Sequence, residues 1–203
     1  MFETLLEVLL IVAILMTGVR RIKLLISGFA IQSLCIALIC FYLGYTTGES
    51  SLYIVGIMTV LMKLVLTTVM MNKVSKGLNE NKETDLIISI QWSYILCIAG
   101  IIITYGLLRE FGQPFLKVGI VLMIVGSILL IGRQKAITQM IGFLTIENGI
   151  VLLEMYMVKM SLIIEAALML EVLILALIMG IMIFNINKAF DTINTDKFSN
   201  IKG

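Results

Sequence analysis

The sequence predicts an all-α membrane protein, a bundle of about seven transmembrane helices, and three observations support this fold class. Hydrophobic residues make up 60% of the chain and the mean hydropathy is +1.10, whereas soluble domains contain about 45–50% apolar residues. The apolar residues lie in runs of about 20, the length of helix that crosses the hydrocarbon core. Basic residues concentrate in alternate loops. A soluble core could not bury this much apolar surface, so we expect a multi-pass membrane protein.

Seven apolar runs account for the predicted helices. They cover residues 4–19, 22–44, 51–73, 86–108, 115–132, 136–158 and 161–185. The first and fifth runs are short, so their ends are the least sharply defined. The chain starts Met-Phe-Glu-Thr, with an acid where a signal peptide carries basic residues, and no small-residue cleavage site follows. We therefore expect the first run to be a retained helix.

The breaks between the runs contain residues that end or turn a helix. A basic segment, residues 20–23, separates the first two runs, and the turn-rich residues 44–50 separate the second from the third. Residues 72–85 form the longest polar stretch. Pro114 opens the fifth run, where proline is tolerated because the first helical N–H has no intrahelical acceptor. A tight basic turn, residues 132–135, precedes the sixth run. Each break is thus chemically suited to join two helices.

The lysines and arginines predict the orientation of the bundle. With seven spans, one side of the membrane holds eleven basic residues: Arg20, Arg21, Lys23, Lys73, Lys76, Lys82, Arg133, Lys135, Lys188, Lys197 and Lys202. The other side holds three: Arg109, Lys117 and Lys159. Because cytoplasmic loops carry an excess of basic residues, we expect the amino terminus outside and the carboxyl terminus in the cytoplasm. A count of six helices would split the basic loops between both sides.

The long polar stretch also predicts how the chain is organised. Residues 1–75 form a three-helix membrane part, and residues 76–85 a cytoplasmic loop. Residues 86–186 form a four-helix part, and residues 187–203 a polar cytoplasmic tail.

Three ionisable residues stand out because they fall near the middle of predicted spans: Lys63 in the third, Glu147 in the sixth and Glu171 in the seventh. A charged side chain at the bilayer centre costs about 2.5–3.5 kcal/mol on insertion scales. Burial favours the neutral form of carboxyl and amine groups, so such groups, linked by water, can take up and release protons. We expect Glu147 and Glu171 to exchange protons, with Lys63 as a third station. Purely structural pairing, of Lys63 with a glutamate or of the two acids with other groups, remains an alternative.

Two further acids are candidate members of the same ion path. Glu154 follows Glu147 by seven residues, which places both on one helical face about 10 Å apart. Glu165 stands about one turn inside the outer end of the seventh run. Pairing of these acids with Lys159 or with interfacial water is the alternative interpretation.

The composition argues against several classes of site. With no histidine, we expect neither a haem nor an imidazole-bound zinc ion. The three cysteines, Cys35, Cys40 and Cys97, lack the spacing of metal or cluster ligands and lie inside apolar runs. We therefore expect them to be small buried hydrophobic residues. No nucleotide-binding loop is present. We therefore expect no cofactor, no metal site, no redox centre and no nucleic-acid partner for this chain.

Glycines inside the apolar runs are expected to permit close contact between helices, because small residues let two backbones approach in a membrane. These glycines are Gly56, Gly100, Gly126, Gly142, Gly149 and Gly180.

Two segments resemble the hydrogenase-4 component E family. Residues 132–149 read GRQKAITQMIGFLTIENG, with an Ile-Glu-Asn-Gly core behind a basic turn. Residues 21–33 read RIKLLISGFAIQS. Lys63 with the apolar run after it, the length of the chain and its Ile-Lys-Gly ending also fit. The resemblance covers nearly the whole chain at modest density.

This resemblance implies a multi-pass subunit of a group 4 nickel–iron hydrogenase in the cell membrane. Such complexes oxidise formate, carbon monoxide or reduced ferredoxin in a peripheral arm and reduce protons to hydrogen, and their membrane arm moves protons or sodium ions. The implied partners are antiporter-like membrane subunits, the membrane subunit that anchors the hydrogenase arm, the peripheral hydrogenase and iron–sulfur subunits, and the lipid bilayer. This chain would be a non-catalytic subunit of the oxidoreductase complex.

The carboxyl-terminal part is also similar, more distantly, to the K-type subunit of respiratory complex I and to the C-type subunit of multisubunit sodium/proton antiporters. Those subunits have one membrane glutamate in each of their last two helices. The first of these would fall at Leu144, about one turn before Glu147, and Glu171 falls near the second. The similarity keeps two rivals open: a subunit of an antiporter or complex I-like machine, and a purely structural membrane scaffold.

Overall fold

The computed structural model describes residues 2–77, 86–110 and 113–156, with only the backbone described at positions 74, 76, 77 and 156. Of these described residues 89% are helical, and none lies in a strand. All of them belong to one compact unit, Met1–Glu165. The predicted all-α class is therefore confirmed. The seventh predicted span, residues 161–185, lies outside the described residues.

Five helical stretches are long and apolar enough to cross a membrane: Ile22–Thr47, Ser50–Lys73, Ile90–Leu107, Pro114–Gly132 and Ala136–Met155. They correspond to the second to sixth predicted runs. The element bounds are α1 Phe2–Gly18, α2 Ile22–Thr47, α3 Ser50–Met58, a π-helical segment Thr59–Thr67, α4 Thr68–Gly77, α5 Ile90–Leu107, α6 Pro114–Gly132 and α7 Ala136–Tyr156. We call α3, the π segment and α4 together the third span. The chain is thus a membrane protein by the length and composition of its helices.

Backbone hydrogen bonds explain two of the differences between the observed and the predicted helix ends. α5 begins at Ile90, four residues after the predicted start at 86, because the N–H groups of Ile87 and Ile88 instead donate to the carbonyl of Gly132, at 3.0 and 3.4 Å. α2 continues to Thr47 and ends at Gly48, whose φ of 75° is left-handed. The Gly48 N–H donates to the Gly44 carbonyl at 2.9 Å, which closes the helix with the residue type that adopts this conformation most easily.

The closest helix pair is α6 with α7, and four glycines make that contact possible. A Cβ added at Gly126 would lie 2.7 Å from the Gly142 carbonyl oxygen, and one added at Gly149 would lie 2.6 Å from the Gly119 carbonyl oxygen. Glycines seven residues apart on one helix therefore face glycines seven apart on the other, in antiparallel order. We call this contact the glycine seam. Close backbone approach at Gly126, Gly142 and Gly149 was predicted, and Gly119 is the member that sequence reasoning missed.

The described helices have two chemically different ends. At one end, the loop after α1, the end of α4 and the turn between α6 and α7 carry Arg20, Arg21, Lys23, Lys73, Arg133 and Lys135. We call this the basic end. At the other end, the Phe2 ring stacks on Phe115 at 5.5 Å and on Tyr42 at 6.3 Å between centroids. Six basic residues that were assigned to one side of the membrane therefore share one end of the bundle.

Candidate functional site

The two ionisable residues predicted inside described spans, Lys63 and Glu147, lie at the same depth. Lys63 stands ten residues before Lys73, the end of the membrane-crossing stretch Ser50–Lys73, and Glu147 stands eleven residues after Ala136, the start of α7. At about 1.5 Å per residue, both side chains are roughly 15–16 Å from the basic end. That depth is about half of a hydrocarbon core of about 30 Å. Both charges therefore sit near the middle of the membrane-crossing length.

Lys63 and Glu147 face each other as a buried ion pair. The distance from Lys63 Nζ to Glu147 Oε1 is 3.7 Å. Lys63 is 0% exposed and Glu147 is 4% exposed, so neither charge is open to solvent or to lipid. At this separation the attraction is about 4 kcal/mol for an effective dielectric constant of about 20. Because desolvation costs several kcal/mol per ion, the pair by itself is a weak source of stability.

A chain of amide groups extends from the ion pair across the bundle. Lys63 Nζ donates to Asn148 Oδ1 at 3.2 Å, and Asn148 Nδ2 donates to Gln32 Oε1 at 3.4 Å. Gln32 Nε2 in turn donates to the Met16 sulfur at 3.4 Å. Asn148 and Gln32 are both 0% exposed. The third span, α7, α2 and α1 thus meet in one polar cluster at the centre of the bundle.

The Thr145 hydroxyl borders this cluster. It donates to the Ile141 carbonyl at 2.8 Å, within its own helix, and its oxygen lies 3.5 Å from Gln32 Oε1. Thr145, Asn148 and Glu147 come from one turn of α7, so a single helical turn supplies the acid, the amide and the hydroxyl of the site. The sequence reasoning singled out only the acid.

The backbone around Lys63 is a π-helix, Thr59–Thr67, with Lys63 at its middle. The hydroxyls of Thr67 and Thr68 donate to the carbonyls five residues earlier, Met62 and Lys63, at 2.7 and 3.2 Å. A π segment inside an α-helix is uncommon and is often found at functional sites. Here it widens the turn that presents Lys63 to α7, and it also gives two carbonyls hydroxyl partners. Nothing in the apolar pattern of the sequence predicted this segment.

The arrangement can exchange a proton without creating net charge. If the Lys63 ammonium transfers a proton to the Glu147 carboxylate, both groups become neutral, and the reverse step restores the ion pair. The atoms must approach from 3.7 Å to about 2.7–3.2 Å for a direct hydrogen bond, or be bridged by one water. The amides of Asn148 and Gln32 can stay hydrogen-bonded in both states because each has donor and acceptor atoms.

Three other residues were predicted to belong to the ion path: Glu154, Glu165 and Glu171. Glu154 is half-buried in α7. It lies seven residues beyond Glu147, towards the end of the bundle where Phe2 stacks on Phe115 and Tyr42. Glu165 and Glu171 lie outside the described residues. The structure therefore brings together Lys63 and Glu147 from the predicted set.

Asn148 and Gln32 are the functional candidates that sequence reasoning missed. Both are amides at mid-span positions of apolar runs, and both fall inside the segments on which the family resemblance rests. A search for every polar side chain at the middle of a predicted span, rather than for charged ones alone, would have found them.

Another buried charged side chain lies at the basic end. Arg133 is 3% exposed, and its Nη2 donates to the carbonyls of Thr17 and Met16 at 2.8 and 3.4 Å. These are carbonyls of the last turn of α1, where the chain runs out of intrahelical donors; the Met16 carbonyl also accepts from the Val19 N–H at 3.3 Å. The guanidinium therefore caps the carboxyl end of α1, and its positive charge interacts favourably with the negative end of the helix dipole. Its role is to join the turn between α6 and α7 to the end of α1.

Comparisons of the chain with protein-family models, with curated proteins and with solved structures found no match. The buried cluster around Lys63 and Glu147 is therefore the main support for a functional proposal.

Proposed function

We propose that this chain is an ion-translocating, non-catalytic subunit of a membrane-bound nickel–iron hydrogenase complex, in which Lys63 and Glu147 pass a proton through the middle of the membrane. The observation that carries the ion-translocating part is the fully buried Lys63–Glu147 pair at mid-membrane depth. Intramembrane ionisable residues mark ion and proton paths by default, because their burial is costly. The hydrogenase part is carried by the resemblance of residues 21–33 and 132–149 to the hydrogenase-4 component E family.

The same proposal includes the finer topology. The chain crosses the plasma membrane seven times, with the basic end at the cytoplasm, the amino terminus outside and the carboxyl terminus inside. The excess of lysine and arginine at the basic end supports this orientation. Glu171, on the seventh span, is the next station of the path after Glu147. The partners of this chain are antiporter-like subunits, the subunit that anchors the hydrogenase arm, and the peripheral hydrogenase and iron–sulfur subunits.

The central test uses Glu147→Gln in the assembled complex. Inverted membrane vesicles are assayed for hydrogen evolution and, in parallel, for proton uptake with a pH-sensitive dye. We expect the variant to assemble and to evolve hydrogen while proton uptake falls at least tenfold, and Glu171→Gln to behave alike. Glu49→Gln is the control, because Glu49 is an exposed acid between α2 and the third span and lies outside the proposed path. Unchanged coupling in both Glu147→Gln and Glu171→Gln would overturn the proposal.

Two rivals predict different outcomes of the same experiments. For a structural scaffold, Glu147→Gln should reduce the amount of assembled complex, and any complex that does assemble should pump normally. For an antiporter or complex I-like machine without a hydrogenase, the affinity-tagged chain should co-purify with antiporter-like subunits alone. Recovery of a large subunit with two paired cysteine motifs supports the hydrogenase.

The orientation has an independent test. Arg20→Cys, at the basic end, should react with a membrane-impermeant thiol reagent added from the cytoplasmic side only. Reaction from the outside alone would reverse the proposed topology.

A further inference from the structure

One face of the third span is buried and largely polar along most of its length. Its members recur every four residues: Thr59, Lys63, Thr67, Met71 and Ser75. All five are between 0% and 5% exposed. At about 1.5 Å per residue, the sixteen steps from Thr59 to Ser75 cover about 24 Å, most of a hydrocarbon core of about 30 Å. We call this face the polar stripe.

The opposite face of the same span is apolar and exposed. Leu61, Val65 and Val69, also four residues apart, are 55%, 51% and 49% exposed. The third span therefore has an apolar face that points outward and a polar face, with hydroxyls and Lys63, that points into the bundle. The inner face packs on α2, which runs antiparallel to it, as the close approach of Gly56 to Cys40 shows.

The π segment helps to keep the stripe on one face. In a regular α-helix, positions four residues apart drift by about 40° at each step, so a stripe of this spacing would wind around the helix. A π segment closes each hydrogen-bonded turn over one more residue, which reduces that drift. The nine π-helical residues, Thr59–Thr67, contain the first three members of the stripe. The π segment and the four-residue spacing of the stripe therefore act together to keep these side chains on one face of the third span.

Two buried hydroxyls of the stripe and one of α2 are not satisfied within the part of the chain that the structure describes. They are Thr59 Oγ1 and Ser75 Oγ on the stripe, and Ser33 Oγ on α2, beside Gln32. Their residues are 2%, 1% and 0% exposed. A buried hydroxyl without a partner costs about 1–3 kcal/mol, and ordered water is the usual partner of such groups in protein interiors.

We infer that the polar stripe is a hydrated path that connects Lys63 with the basic end of the protein. Water held by Ser75 and Thr67 would carry protons between the basic end and Lys63, and the Thr59 hydroxyl would hold water on the far side of the ion pair. Met71 is the single apolar member and lies between Ser75 and Thr67, so its flexible side chain closes the path when it lies across the stripe. This inference rests on the proposed function for its direction of proton flow, but hydration can be measured separately.

Cysteine accessibility tests the path without any measurement of transport. Thr67→Cys and Ser75→Cys are compared with Val65→Cys and Val69→Cys, which replace exposed apolar residues of the same helix. A charged, water-soluble thiosulfonate reacts with the thiolate, which forms readily only in contact with water. We expect the two stripe positions to react at least tenfold faster than the two controls. The unsubstituted chain, with its three native cysteines, supplies the background rate.

A second substitution tests the role assigned to Met71. In the Thr67→Cys chain, Met71→Ala should raise the modification rate of the introduced cysteine about tenfold, whereas Met71→Leu should leave that rate unchanged. Gel filtration selects the folded, monodisperse fraction of every variant before labelling. If Thr67→Cys reacts no faster than Val69→Cys in either Met71 background, the stripe is dry and the inference is wrong.

The outcomes also separate this inference from the proposed function. Fast labelling of the stripe together with normal proton coupling in Glu147→Gln would retain the hydrated path and reject the role of the ion pair. Loss of coupling in Glu147→Gln with an unlabelled stripe would retain the relay and reject this route to it.

Discussion

Lys63 and Asn148, 85 residues apart in the chain, are joined by a buried hydrogen bond of 3.2 Å, and Asn148 adjoins the ion-pair partner Glu147. The ammonium group is therefore held by two consecutive residues of one helix. Its charge faces the carboxylate, while the neutral Asn148 amide oxygen accepts a hydrogen bond from it. This arrangement lets the pair exchange a proton without losing its anchor, and it makes the energetic roles of the three side chains separable by mutation.

The ion pair should be more costly to break than to remove. Lys63→Met leaves the Glu147 carboxylate without its opposite charge, and we expect a loss of about 3–5 kcal/mol of stability. The double variant Lys63→Met with Glu147→Leu replaces both charges by apolar groups and should recover most of that loss. Chemical unfolding in detergent, followed by the fluorescence of Trp92, measures each variant.

The same double variant distinguishes a proton relay from a scaffold. We expect it to assemble normally and yet translocate no protons. Recovery of both assembly and translocation would contradict the relay, because no titratable group would remain at the centre of the described bundle.

Asn148→Ala should slow proton transfer with a modest cost in stability. The substitution removes the acceptor of the Lys63 hydrogen bond and the donor to Gln32. We expect a loss of about 1–3 kcal/mol, because it leaves buried polar groups unsatisfied. Ser127→Ala is the control, since its hydroxyl bonds only to its own helix, at the Met123 carbonyl, 2.7 Å away. Proton uptake should fall for Asn148→Ala and stay unchanged for Ser127→Ala.

The glycine seam should tolerate no added methyl group. A Cβ at Gly142 would lie 2.5 Å from the Leu130 backbone nitrogen, so Gly142→Ala must push α6 and α7 apart. We expect a fall in melting temperature of several degrees. Gly106→Ala is the matched control, because a Cβ there meets nothing within 4 Å and the substitution adds helix propensity of about 1 kcal/mol. A Gly142→Ala protein as stable as Gly106→Ala would show that the helices do not approach this closely.

Arg133 should matter for the end of α1 and not for proton transfer. Arg133→Gln removes the charged donor to the Thr17 and Met16 carbonyls. We expect lower thermal stability and faster amide hydrogen exchange at Val19 and Arg20, with normal coupling in the complex that assembles. Arg20→Gln, an exposed position of the same end, should change neither measurement. A coupling defect in stable Arg133→Gln protein would instead place Arg133 on the proton path.

The amino-acid sequence was sufficient to predict the all-α class and five helices of membrane-crossing length. Apolar runs of bilayer length marked α2, the third span, α5, α6 and α7, because a helix that crosses hydrocarbon must be apolar throughout. Residue counting along those runs placed Lys63 and Glu147 at similar depth. It also placed the basic loops at one end, because helix ends follow directly from the breaks between runs.

Only the tertiary structure decided which groups meet. Depth along an axis says nothing about rotation around it, so the contact between Lys63 and Glu147 depends on how the third span and α7 pack on α2. The π segment turns Lys63 inward, and the glycine seam fixes α7 against α6 on the other side. Asn148 and Gln32 are chemically ordinary in the sequence and become part of a site only when four helices converge. The sequence by itself determined which charges enter the membrane, since the cost of burial is a property of each residue. Their function as a connected pair is a property of packing, which depends on contacts between residues far apart in the chain.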